Sequence, residues 1–105
     1  MSFEERLKQG EFCVAYCNNC DTVMWPHSSL CSKCFLNTRL IPSTKHGTLL
    51  EYSSQNGVIF CVCRMGDMDV MGRLLSQCAE GSPVYLSRCG MRDNAPFFEF
   101  TPEQT

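Results

Sequence analysis

The stretch YCNNCDTVMWPHSSLCSKC, residues 16–34, carries two Cys-x-x-Cys pairs, Cys17 with Cys20 and Cys31 with Cys34, separated by ten residues. Each pair spans a tight turn, through Asn18 and Asn19 in the first and Ser32 and Lys33 in the second. Two such turns facing each other offer four thiolates to one tetrahedral ion. The common template has roughly fifteen to twenty intervening residues, yet a shorter span can still leave one turn and return to the other. The spacing therefore predicts a short zinc ribbon with Cys17, Cys20, Cys31 and Cys34 as ligands. Cys13, His27 and His46 are alternative donors for a mixed site, and iron suits the same four sulfurs.

Chain context separates metal from disulfide. The opening MSFEERLKQG has acidic residues where the positive segment of an export signal belongs, and no apolar segment follows. No apolar run approaches the roughly 18 residues needed to cross a bilayer. The expectation is a cytoplasmic protein without a membrane segment, where thiols stay reduced. Nine cysteines then read as a metal site plus free buried thiols, and an odd number fits a disulfide framework poorly. Cys61 and Cys63, two apart on a strand, project to one face and read as small core residues.

Charge is uneven. Residues 1–47 hold five Lys or Arg against four Asp or Glu, whereas residues 48–105 hold four against seven, so the two parts carry +1 and −3. A nucleic-acid partner is disfavoured, because a basic footprint supplies most nonspecific affinity for phosphate.

Three segments follow from the pattern: an N-terminal helix (1–10), the ribbon (11–45) and a β-rich part (46–105). Ser2 with Glu5 forms a capping box, and Phe3 and Leu7 lie one turn apart, so this short helix must cover a surface to persist. Phe12, Tyr16, Trp25 and Phe35 interleave with the cysteine turns and supply an apolar shell for the sulfurs. Beyond Pro42, HGTLLEYS, VIFCVCR, MDVMGRLL, VYLSRC and APFFEF read as strands, divided by QNG, Gly66-Asp67 and EGSP, with TPEQT as a polar tail. Five short strands without helical period favour a small barrel, and the fold class is mostly β.

Helix, ribbon and barrel in this order resemble the acyl-CoA-associated zinc-ribbon plus OB-fold family, catalogued as domain of unknown function thirty-five, of the archaeal or bacterial thiolase-accessory type. The resemblance rests on FEERLKQGEF, YCNNC, Trp25-Pro26, LCSKC, HGTLLEYS and DVMGRLL and covers nearly the whole chain. It implies a rubredoxin-like ribbon, a five-stranded OB-fold and a structural zinc. It also implies a non-catalytic accessory or scaffold subunit that binds a thiolase-like or HMG-CoA-synthase-like acyl-CoA enzyme, with a coenzyme A thioester as a further contact. Family knuckles commonly place Gly after the second cysteine, where this chain has Asp21 and Phe35. A left-handed backbone suits Asp and strains Phe, which predicts a distorted second knuckle. The segment between Ser53 and Val58 is short for the family.

The chemistry agrees with a binding role. Four thiolates saturate zinc and leave no position for water or substrate, so the metal is structural and the protein is read as not an enzyme. No histidine lies close in sequence to Cys13, Cys61, Cys63, Cys78 or Cys89, and no phosphate-binding glycine loop is present. Lys33, Arg39, Lys45, Arg64, Arg73, Arg88 and Arg92 are scattered and read as solvated charges. The alternative function is a single-stranded nucleic-acid binder, since OB-folds stack bases on aromatic side chains.

Overall fold

The computed structural model describes residues 2–103. It divides into two compact units, Met1–Ser43 and Thr44–Thr105.

The first unit opens with α1 (Phe3–Lys8). The Ser2 side chain accepts the Glu5 backbone N–H at 3.1 Å, which satisfies one donor that a helix start leaves unpaired, and its hydroxyl donates to the Glu5 carboxylate at 3.2 Å. Six residues of helix are marginal alone, and packing supplies the rest. Leu7 is fully buried, while Phe3 stacks on His27 at 4.9 Å and meets the edge of Trp25 at 6.0 Å. The helix thus docks on the ribbon's own aromatic shell, where Phe12 also contacts Trp25 at 5.2 Å.

The ribbon is a three-stranded antiparallel sheet in the order β2 (Thr22–Met24), β1 (Cys13–Cys17), β3 (Arg39–Pro42). Central β1 is buried at four of its five positions. Pro42, read from the sequence as punctuation after the ribbon, belongs to β3 and pairs with Cys13. It occupies the last position of an edge strand, where its missing N–H removes no ladder bond the sheet needs.

The second unit is a closed barrel of β4 (His46–Gln55), β5 (Val58–Met65), β6 (Met68–Leu74), β7 (Pro83–Arg92) and β8 (Ala95–Pro102), in the order β4-β5-β6-β8-β7. The β6–β8 contact is parallel and the others are antiparallel, and β7 returns to β4. Closure removes free edges and gives the partly Greek-key arrangement of an OB-fold. Asn56 and Gly57 both have positive φ, so β4 and β5 meet in a two-residue turn whose twist matches the strands. The inward residues Leu49, Cys63, Met65, Val70, Val84 and Phe100 are almost wholly inaccessible and fill the barrel.

All five expected strands exist, and the differences lie at their ends. Strand β7 continues through Gly90, Met91 and Arg92, because Asp93 and Asn94 take the left-handed conformations of a tight hairpin that supplies its register to β8. The expected polar tail begins as strand: Thr101 and Pro102 belong to β8 and pair with Tyr85 and Val84, and Glu103 engages His46. Gln104 and Thr105 lie outside the described residues. Among the described residues no helix is long and apolar enough to cross a membrane.

Candidate metal centre

Strand β1 ends at Cys17, the first turn carries Cys20, and the chain returns through the Leu30–Asn37 bridge to present Cys31 and Cys34. The structure brings the four sulfurs together, all within 4.8 Å of one another. Cys17 and Cys34 are 3.5 Å apart, and Cys20 and Cys31 3.9 Å apart. Sulfurs arranged tetrahedrally at about 2.3 Å from zinc are separated by about 3.8 Å, so the cage has the dimensions of that ion. Among the described residues this is the one group of three or more candidate metal donors that meets in this way.

The thiols are placed unequally. Backbone N–H groups of Cys34 and then Lys33 aim at the Cys31 sulfur and pull its pKa from 9.0 down to about 6. The Leu36 N–H does the same for Cys34, the first of several causes that lower it. Cys20, hydrogen-bonded to the Cys34 sulfur and desolvated, is pushed up to about 12. Four neighbouring thiols cannot all ionise without a cation between them, and a divalent ion supplies the missing charge. The rubredoxin-like ribbon with its four close cysteines fits a structural zinc site.

A pH dependence follows from these directions. With a folded pKa below 9.0, Cys31 favours the metal-free fold above that value and loses this contribution as pH falls through about 6. Protons and zinc compete for the same sulfurs. Zinc is expected to bind more weakly as pH falls and protons take the sulfurs, read with a colorimetric chelator; zinc retention that does not weaken on acidification would contradict this account.

The other candidate donors lie elsewhere. Cys13 is buried on β1 with Arg6 Nη1 3.8 Å from its sulfur, and the His27 ring is stacked on Phe3. His46 belongs to the barrel, where it engages Glu103 and Tyr85. All nine cysteines are free, and Cys61 and Cys63 face the barrel interior with sulfurs 3.7 Å apart. Their shared proton raises the pKa of Cys63 and lowers that of Cys61.

The second knuckle departs from the expected distortion. Asp21 and Phe35, each following the second cysteine of its pair, take φ of 52° and 63°, so strain sits in the Phe35 backbone and the turn keeps its shape. Asp21 has a local reason to be there, because its carboxylate accepts the Tyr16 hydroxyl.

Several arginines read as solvated charges are engaged instead. Arg39 lies over the Tyr16 ring and bonds Asn18 at 3.1 Å, and Arg64 pairs with Asp69 at 2.9 Å. Arg92 and Arg88 both lie over the Phe97 ring, at 4.5 and 5.5 Å, and Arg88 reaches the buried Glu99 at 3.9 Å. Arg88 and Arg92 four apart on β7, and Phe97 and Glu99 two apart on β8, were the available signal, but it needed the β7–β8 register. Sequence reasoning also missed an open groove of about 460 Å³ on the barrel, lined by exposed Phe60 and Met71 together with Glu51 and Glu80.

The family model described as "ChsH2, rubredoxin-like zinc ribbon domain" matches residues 5–38. Two solved structures share the fold. One is an Ltp2–ChsH2(DUF35) aldolase, with a TM-score of 0.78 at 16% identity over 95% of this chain and 91% of the other. The second is a DUF35 protein of unknown function from Sulfolobus solfataricus, with a TM-score of 0.70 at 15% identity over 96% and 82%. The curated proteins contain no match.

Proposed function

We propose that this chain is a member of the DUF35 zinc-ribbon family and a zinc-containing accessory subunit of an acyl-CoA enzyme, a reading supported by the ribbon match and the shared fold. The observation that carries this reading is the closed cage of Cys17, Cys20, Cys31 and Cys34 on a ribbon that resembles a domain found in an enzyme assembly. Zinc there, held by the four thiolates, supplies rigidity and no reaction site, because a saturated tetrahedral shell has no exchangeable position. The aldolase is the Ltp2–ChsH2 assembly; for this chain we assign catalysis to the partner and a scaffold role to the ribbon (residues 11–45) and the barrel (residues 46–105).

The partner on this reading is a thiolase-like or HMG-CoA-synthase-like enzyme in the cytoplasm, and its coenzyme A thioester is the further contact. A single-stranded nucleic acid fits less well. The groove that holds exposed Phe60 is also lined by Glu51 and Glu80, and Arg39 and Arg64 already have partners within the protein. Carboxylates beside a stacking platform repel phosphates.

Copurification from the native cell tests the proposal. The tagged chain should recover an acyl-CoA-handling enzyme in fixed stoichiometry, and the isolated chain should turn over no acyl-CoA. Repeated pull-downs that return no such enzyme, or turnover by the isolated chain, would count against it.

A further inference from the structure

We infer that the second knuckle is the docking tip of the ribbon: Phe35, with Leu36 and Leu30 beside it, inserts into an apolar cleft with an acidic rim on the partner enzyme. This rests on the accessory-subunit reading above.

Phe35 is the wrong residue for its backbone unless its side chain is needed. At φ 63° a Cβ is strained, and glycine is the default occupant of such positions. The paired position in the first knuckle, Asp21, is accounted for by its bond to Tyr16. Phe35 has no such account within the chain, because its side chain is 73% exposed and recovers little from packing. Backbone strain retained beside an exposed aromatic marks a functional position.

The surroundings form an interface core. Leu36 and Leu30 are 54% and 46% exposed, so three large apolar residues cluster on one turn. That turn is stiff: Phe35 N–H donates to the Cys31 carbonyl and Cys31 N–H to the Leu36 carbonyl, both at 2.9 Å, and Leu30 pairs with Asn37. A preorganised aromatic anchor loses little freedom on binding, which is how interface hot spots arise. The charge pattern identifies the occupant. From Thr22 to Leu50 the sequence has no Asp or Glu, and Lys33 on the knuckle joins none of the ion pairs among the described residues. A cation at the edge of an apolar tip matches a cleft with carboxylates at its rim.

The test uses the zinc-loaded full chain with Phe35→Gly and Phe35→Asn, and as probe the purified acyl-CoA enzyme recovered by copurification. Both variants should keep one zinc and melt about 4 °C higher through relief of strain, while affinity for the enzyme falls on the order of 30-fold. Lys33→Glu should weaken binding further at low salt. A photo-crosslinker at position 35 should label an acidic-rimmed cleft of that enzyme. Unchanged affinity in both Phe35 variants, a lower melting temperature, or crosslinks to a second copy or to the chain's own barrel would each overturn the docking tip and leave the accessory role standing. Failure of the wild-type chain to capture any acyl-CoA enzyme removes the accessory reading and this inference together.

Discussion

Stripping zinc from the purified chain, or replacing Cys31 with serine, should unfold the ribbon and leave the barrel folded. The sheet β2-β1-β3 has strands of three, five and four residues, too few to close a core by hydrogen bonding. Below about 40 residues a domain buries too little surface to stand without a metal or disulfide, and the first unit, Met1–Ser43, is of that size with all its cysteines free. Structural zinc contributes roughly 10 to 16 kcal/mol at neutral pH, more than the ribbon's short strands and single helix can replace. Cys31 is the severest single position, since it is fully buried and receives the N–H groups of its own knuckle. Serine there offers a harder, poorly ionised donor. The chain has one tryptophan, Trp25, and it sits against Phe3 and Phe12 in this unit, so its emission should move to the red on chelation. Far-ultraviolet circular dichroism should keep the barrel's β signal. A metal-free chain with unchanged Trp25 emission would refute the structural role of zinc.

The ribbon was legible because its information is local. Two Cys-x-x-Cys turns specify their own chelate geometry, and Ser2 with Glu5 and Phe3 with Leu7 specify a short capped helix within one segment. The barrel strands were legible as alternating runs, but their order was not. The parallel contact that pairs Arg73 with Glu99 joins residues far apart in the sequence, and no local pattern encodes it. For the same reason the Arg88 and Arg92 stacks on Phe97 look like free charges until the register is known. Phe35 shows the converse. Sequence expected its bulk to deform the turn, whereas the turn keeps its backbone bonds from Phe35 to Cys31 and from Cys31 to Leu36 and the residue takes the left-handed region. The conflict between local preference and global fold is itself the signal, and it falls on an exposed residue.

Gly72→Ala should be the most damaging single-methyl change in the barrel. Gly72 sits on β6 opposite Cys61 of β5, at the strand that takes β8 as its parallel neighbour. A Cβ built there would lie 2.4 Å from the Phe98 carbonyl oxygen and 2.9 Å from the Phe100 ring. The nearer obstacle is backbone, which cannot rotate away, and the ring belongs to a fully buried residue with no space to yield. The β6–β8 junction closes the sheet, so displacing β8 opens the barrel instead of bending one strand. Overpacking of this kind destabilises by about 3 kcal/mol or more, a large share of the net stability of a small domain. The expected result is a lower denaturation midpoint for the barrel with zinc retained by the ribbon, the inverse of the Cys31→Ser outcome. Substituting Gly57 by Asn in the β4–β5 turn is the control, since a Cβ there meets nothing within 4 Å and Asn tolerates its positive φ of 80° better than other side chains do. If Gly72→Ala matched the wild type in denaturant, β6 and β8 would not approach as closely as the register requires, and the closed barrel would be wrong at that seam.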